Sequence, residues 1–220
     1  MLGPVGVLIG FLLIAGAPSR ADFNGNTTVS GNVPVVTTAE QSFDGPMVDG
    51  VNATSFEWWY FDTVTQDGTQ EITITFYRTQ LLSDLPEINT VEIGIVWPNG
   101  TTGKYPLAAD SSSVITNYYG ASGVWNGAGA IFNGTSTLSD YTVALDNSVI
   151  KGSLSIYSIA PGHYADGLPP GNPDASPLAF PGIYWTNAIP SGIANGKFTV
   201  MGETLQFENA IGYHDHNWGD

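Results

Sequence analysis

Two short runs carry the side chains best suited to chemistry. The first, Ser55 to Asp62, reads SFEWWYFD and sets the carboxylates Glu57 and Asp62 among Trp58, Trp59, Tyr60 and Phe61. The second, Gly212 to Asp220, reads GYHDHNWGD and holds His214 and His216, two of the chain's three histidines, beside Asp215 and Trp218. Carboxyl groups walled by aromatic rings have raised pKa values and can serve as general acids, and the tyrosine or a histidine can donate to a substrate carbonyl. A His-x-His pair can also ligate zinc, iron or copper, with Glu57 completing the set. The spacing designates no third ligand. The pair is expected instead in a hydrogen-bonded polar network around buried His and Trp, so no metal is expected.

These residues act only where the backbone puts them. In an extended strand successive side chains point to opposite faces, so Glu57, Trp59 and Phe61 share one face while Trp58, Tyr60 and Asp62 share the other. Likewise His214 and His216 fall with Gly212 and Trp218, away from Tyr213, Asp215 and Asn217. Both faces of the first run are aromatic, and each carries an acid. One face is therefore expected in the core and the other as the lining of a pocket for an apolar or aromatic small molecule, against the plainer alternative of a strand buried on both sides. Because Glu57 and Asp62 face opposite ways, they cannot address one substrate atom together, which leaves glycosidase chemistry without support.

The elements around these runs read as strands throughout, with no helical periodicity after the N-terminal leader. A hairpin turns at Gln66, Asp67 and Gly68 into the alternating Glu71 to Tyr77. Further strands are expected over Val91 to Trp97, Val114 to Tyr119, Gly123 to Asn126, Ala130 to Phe132, Tyr141 to Leu145 and Val149 to Ile156. They continue over Ile183 to Ile189, Lys197 to Met201 and Thr204 to Glu208. A loop rich in proline and glycine, Ala160 to Gly182, interrupts them, and its Tyr164 and Phe180 could cap a barrel mouth. Residues 22 to 54 read as an arm with a possible short strand at Val33 to Val36. Short strands at this spacing predict an all-β antiparallel barrel or sandwich over 55–220.

Composition limits the partners. Of 220 residues 20 are acidic and 5 basic, a formal net charge of -15, which disfavours nucleic acid and anionic membrane surfaces. There is no cysteine, so thiolate chemistry and disulfides are excluded. Neither a G-x-S-x-G elbow nor a glycine-rich phosphate loop is present. Residues 1–21 read as a signal peptide, with an apolar run over Val5 to Ala17 and small residues before a cleavage site after Ala21. Asn26, Asn52, Asn99 and Asn133 lie in N-x-Thr sequons, the last two in apparent turns. Together these features predict passage through the secretory pathway, with no membrane association once the leader is removed.

The EWWYFD and GYHDHNWGD runs together resemble the signature stretches of a superfamily. It includes carotenoid hydratases of the hydroxyneurosporene synthase type, kievitone hydratase and the fungal lipocalin-like Diels–Alderases. The resemblance runs from about Ser55 to Asp220. It implies two lipocalin-like β domains with a ligand cavity largely between them, and pericyclic chemistry that needs no cofactor. This chain would supply the N-terminal domain, the C-terminal one being apparently absent. The implied reaction is cyclisation of an apolar polyene, quinone methide or terpenoid in secondary metabolism, by a Diels–Alderase or hetero-Diels–Alderase.

On that reading Trp58, Trp59, Trp218 and Tyr164 contact substrate, while Glu57, Tyr60, Asp62, His214, Asp215 and His216 are the candidate catalytic groups. A pericyclase would hold its substrate in a near-attack geometry between apolar walls, with one or two hydrogen-bond donors. A hydratase would instead protonate an isoprenoid double bond, using Asp62, Glu57 or Asp215 as acid and aromatic faces to stabilise the cation. A third possibility is a secreted module that binds an apolar metabolite without turning it over. Secretion is directly testable: a glycosidase that removes N-linked glycans is expected to increase the electrophoretic mobility of the protein expressed in a eukaryotic host, and unchanged mobility would count against glycosylation.

Overall fold

The computed structural model describes residues 23–24, 33–39 and 42–220; the expected leader and Asn26 lie outside them. The described residues form strands and no helix. In chain order the strands are β1 (Phe23–Asn24), β2 (Phe56–Val64), β3 (Glu71–Thr79), β4 (Asn89–Val96), β5 (Thr102–Ala108), β6 (Ser111–Asn117) and β7 (Gly120–Asn126). They continue with β8 (Ala130–Gly134), β9 (Asp140–Asp146), β10 (Ile150–Ser158), β11 (His163–Tyr164), β12 (Leu178–Phe180), β13 (Ile183–Val200) and β14 (Glu203–Gly219). All belong to one antiparallel sheet in the order β1-β6-β7-β8-β9-β10-β13-β14-β2-β3-β4-β5, with β11 and β12 attached to β13.

The hairpin of β13 and β14 is the spine. The first half of β13 pairs with the second half of β14, whose other edge takes β2, and the second half of β13 takes β10. One wing of the sheet is thus β2 to β5 and the other β6 to β10. Register shifts along β13 at Asn187 to Ile189, Ile189 to Gly192 and Ala194 to Gly196 bend the spine, as extra residues in one strand do. The cross-strand pair Gly192 and Gly212 lets the bend close: a Cβ on either would lie 2.6 or 2.7 Å from Ile156 Cγ2. The curled sheet therefore folds its inner faces together. Trp59 and Phe61 from one wing meet Phe132 from the other, with ring centroids 5.8 and 5.4 Å apart, and Phe76 meets Trp125 at 5.0 Å. All five of these aromatic side chains are fully buried.

Several expectations are refined. Ile183 to Ile189 and Lys197 to Met201 are parts of one strand, because Pro190 sits within a register shift where its missing N–H breaks no regular ladder. The Ala160 to Gly182 loop contributes the two short strands β11 and β12. Asn133 lies on β8 rather than in a turn, whereas Asn99 does lie in the turn between β4 and β5. Val33 to Val36 makes a single bridge, Val35 to Val48, and the arm it belongs to packs Phe43, Met47 and Val48 into the interior. The edge strand β5 has no counterpart in the sequence reading; its outward Lys104 and Pro106 are residues that discourage further strand pairing.

Candidate functional site

Adjacent strands β2 and β14 align the two chemical runs residue for residue: Trp58 opposite Asn217, Trp59 opposite His216, Tyr60 opposite Asp215, Phe61 opposite His214 and Asp62 opposite Tyr213. The period of two then sorts them into two constellations on opposite sides of the sheet.

The inward constellation is closed. Glu57, Trp59, Phe61, His214, His216 and Trp218 have essentially no exposure. His216 stacks on Trp59 at 4.4 Å and His214 on Phe61 at 3.9 Å. The two indole N–H groups and the Glu57 carboxylate turn to the arm. Trp59 Nε1 donates to the Asp44 carbonyl at 2.8 Å, Trp218 Nε1 donates to the Val36 carbonyl at 2.7 Å, and the Met47 amide donates to Glu57 Oε1 at 2.5 Å. Tyr164, also buried, packs edge-on against Phe43 at 4.8 Å and donates its hydroxyl to the Ala39 carbonyl at 3.2 Å.

Charge inside this apolar interior is balanced locally. Glu57 Oε2 receives the Arg78 guanidinium, which also reaches the Val48 carbonyl. Its other oxygen lies 3.1 Å from His216 Nε2. Asp44 Oδ2 receives the Tyr141 hydroxyl and lies 3.2 Å from His214 Nε2, and His214 Nδ1 lies 2.9 Å from the Tyr60 carbonyl. A backbone carbonyl accepts only, so the His214 Nδ1–H donates to it. Burial and Asp44 hold the Tyr141 hydroxyl well above its ordinary pKa, so it stays a donor. Among the described residues no group of three or more His, Cys, Asp or Glu has metal-holding geometry.

The outward constellation is half-buried and reachable. Trp58, Tyr60, Asp62, Tyr77, Glu92, Trp185, Tyr213, Asp215 and Asn217 share it, with Thr75 between Tyr60 and Glu92. Asp215 is its fixed point. Tyr213 Oη and Trp185 Nε1 donate to Asp215 Oδ2 at 2.7 and 2.9 Å, and Asn217 Nδ2 donates to Oδ1 at 2.8 Å. Burial raises the Asp215 pKa against the opposing effect of those donors and of His214 behind it. Asp62 receives the Tyr60 hydroxyl; desolvation, with Glu71 and Asp215 nearby, lifts its pKa to about 6. Burial first, and the Asp62 charge second, push the Tyr60 hydroxyl far above its usual range, and burial with Asp215 does the same to Tyr213. Tyr60 and Tyr213 meet edge-on at 6.1 Å, and Trp58 meets Tyr77 at 5.6 Å.

The candidate residues thus divide. Tyr60, Asp62, Asp215 and Trp58 stand together on the outer face, whereas Glu57, His214, His216, Trp59, Trp218 and Tyr164 stand in the packed interior. A separate surface notch of about 320 Å³, lined by Leu138, Ser139, Ile159 and Pro161 among others, lies away from both runs. Asn99 is exposed, with Oδ1 accepting from the Thr101 amide and hydroxyl; Asn133 is exposed on its strand and Asn52 half-buried. Asp44, Arg78, Tyr141 and Trp185 hold the residues of the two runs in place yet carry no motif in the sequence. The scarcity of basic residues, with one of them in a strand that pairs with β2, is the one signal that could have marked Arg78.

Known proteins resemble this chain in sequence and in fold. Residues 17–220 match the family model described as Diels-Alderase-like. The quinolone epoxide rearrangement protein PenF of Penicillium thymicola is 37% identical over 180 residues, covering 77% of this chain and 49% of its own length. Its counterpart AsqO of Emericella nidulans is 32% identical over 208 residues, covering 90% of this chain and 54% of its own. The crystal structure of CghA with Sch210972 shares the fold, with a TM-score of 0.67 and 24% identity over 89% of this chain and 52% of that one. The chain spans about half the length of these relatives.

Two outcomes are expected from this arrangement. Arg78→Met leaves the Glu57 carboxylate buried without its guanidinium and is expected to lower the unfolding free energy by about 3–5 kcal/mol in urea titrations. The Arg78→Met, Glu57→Gln double variant should lose less than the sum of the single losses, and strict additivity would show that the two are not coupled. For Asp62, whose ordinary pKa of 3.8 rises to about 6 on folding, the native state holds the proton more tightly. Its stabilising contribution is full below the unfolded value and lost as pH rises through the folded one. Asp62→Asn cannot titrate, so its stability relative to wild type should climb between about pH 4 and about pH 7. A difference independent of pH would refute a desolvated Asp62.

Proposed function

We propose that this chain, which belongs to the Diels-Alderase-like family, works in secondary metabolism as a cofactor-independent pericyclase of the Diels–Alderase type. Its outer face of β14, β2 and β3 would be one wall of the substrate site. A single observation carries this reading: both signature runs expose their aromatic and acidic side chains on the same reachable face, in register across β2 and β14. Trp58, Tyr77 and Trp185 offer flat apolar surface against which an extended polyene can be folded into a near-attack geometry. Burial keeps the Tyr60 hydroxyl protonated, and it can exchange Asp62 for a substrate carbonyl, withdrawing electron density from a dienophile. Asp215, fixed by three donors, holds Tyr213 and Trp185 in place rather than meeting substrate itself.

A second reading has its own support. PenF and AsqO are named for quinolone epoxide rearrangement, and Asp62 beside Tyr60 is suited to an acid-assisted opening of an epoxide. A proton passed from Asp62 to the epoxide oxygen breaks one C–O bond; migration within the substrate and return of a proton to the carboxylate give an isomer. The apolar leader and the exposed Asn99 sequon support passage through the secretory pathway for either activity.

Incubating the purified protein separately with a tethered diene–dienophile polyene and with a quinolone epoxide distinguishes the readings. Pericyclic catalysis is expected to give one stereoisomer of unchanged mass from the polyene, with the rate reduced at least about tenfold in Trp58→Ala. Conversion of the epoxide alone, lost in Asp62→Asn, would favour rearrangement. A mass gain of one water would indicate a hydratase, and saturable binding with no product would indicate a carrier.

A further inference from the structure

Asn52, Asn99 and Asn133 are the sequon asparagines among the described residues, and the fold uses them differently. Asn52 Oδ1 accepts from the Thr54 amide and hydroxyl and from the Ser55 amide, which shapes the chain ahead of β2. Asn99 Oδ1 accepts from the Thr101 amide and hydroxyl in the turn between β4 and β5. Asn133 stands exposed on β8, and its side chain makes no hydrogen bond among the described residues, although strands disfavour asparagine. The other two residues of its sequon have structural duties. A Cβ on Gly134 would collide with the Tyr141 ring, and Thr135 Oγ1 accepts from the Ser139 and Asp140 amides ahead of β9. Packing thus accounts for the glycine and the threonine but not for the asparagine.

Around Asn133 the outer face of this wing is uncharged and partly apolar. Ser122 of β7 and Thr142 of β9 flank Asn133, and Ile115 of β6 lies beyond Ser122. The adjoining row of the same face holds Ser113, Val124, Ile131 and Ala144. Ile131, Val124 and Ile115 are 37%, 41% and 49% exposed, so three branched aliphatic side chains stand in water around one asparagine. Clustered apolar groups of this kind mark a surface that something covers.

We propose that Asn133 carries an N-linked glycan whose first N-acetylglucosamine lies over Ile131, Val124 and Ile115 and covers this face of the wing. The inference rests on passage of the chain through the secretory pathway. In the modification Asn133 Nδ2 bonds to the anomeric carbon of a polyprenol-diphosphate-linked oligosaccharide. The bond from that carbon to the diphosphate oxygen breaks, the amide gives up one proton, and the polyprenol diphosphate leaves with the bonding electrons. Asn133 and Ile131 are two residues apart on one strand, so their side chains project to the same side and the less polar face of the sugar ring removes the aliphatic groups from water. Strands β9, β10 and β13 separate β8 from β14, which leaves the proposed substrate wall clear of the glycan.

The test produces the full chain with its own leader in a eukaryotic secretion host. Occupied sequons are located by peptide mass spectrometry after enzymatic removal of N-glycans in heavy-oxygen water, which turns each modified asparagine into labelled aspartate. Urea titration then compares wild type with Asn133→Gln, each with and without Ile131→Thr, and repeats the comparison on protein from a bacterial host that adds no N-glycans. Asn133 is expected to be occupied, and Asn133→Gln to lower the urea midpoint of the secreted protein. That loss should shrink in the Ile131→Thr background and vanish in the bacterial protein. An unmodified Asn133 beside another modified sequon would overturn the inference and leave secretion standing. So would an unchanged midpoint, or a loss that is the same without Ile131 or without glycans. Absence of modification at every sequon would overturn both.

Discussion

Asp44 is the residue on which the interior depends. It enters from the arm, is fully buried, and binds four partners from distant parts of the chain: the Tyr141 hydroxyl, the His214 imidazole, the Trp59 indole through its carbonyl, and the Tyr119 carbonyl through its amide. A carboxylate in an aromatic interior is costly unless each of these interactions forms. Glu57 repeats the pattern with Arg78, His216 and the Met47 amide. Arm, β2, β14 and β9 are consequently fastened at one place. An interior of hydrophobic side chains alone could pack in several registers, whereas slipping β2 by one residue would turn Glu57 out and Asp62 in.

That constraint divides the labour of the two signature runs. Residues that sit side by side in each run serve opposite sides of one sheet. The inward half of each run is a socket for the arm: each indole and carboxylate there ends on residues 36–47. The outward half stays partly exposed, and on the proposed reading it meets the ligand while the inward half fixes the strand against the arm. Catalytic work that depends on a near-attack geometry needs such rigidity, since small displacements of a wall are costly in rate. The two constellations are also electrically in touch, as His214 on the inner side lowers the pKa of Asp215 on the outer.

The alternation of side chains makes the division of faces legible in the amino-acid sequence alone, along with the all-β class and the first hairpin. Pairing over long sequence separations leaves no such trace. Glu57 meets Arg78 across 21 residues, Asp44 meets Tyr141 across 97 and His214 across 170. No local pattern marks these, and Asp44 sits in a stretch, Ser42 to Met47, that lacks strand periodicity. The length of β13 is hidden by Pro190 and Gly192, which read as breakers yet fit where the strand bends. Strand β5 is hidden by Pro106 and Lys104, whose role is to end the sheet rather than extend it.

The solid interior also bears on where the proposed chemistry would take place. Trp59, Phe61, Phe132 and the two histidines fill the space between the wings, so a ligand could enter there only by displacing the arm and leaving Asp44 and Glu57 without their partners. Each such buried charge would cost several kcal/mol, comparable to the whole stability of a domain. The outer face carries no such penalty, because Asp215 satisfies its own carboxylate within the face and Asp62 is poised to exchange a proton near neutrality. A single sheet face, however, touches a ligand on one side. Excluding water from the other side requires a second surface, and the aromatic and carboxyl groups of β2 and β14 would then act in a drier medium where both their hydrogen bonds and their charges are stronger.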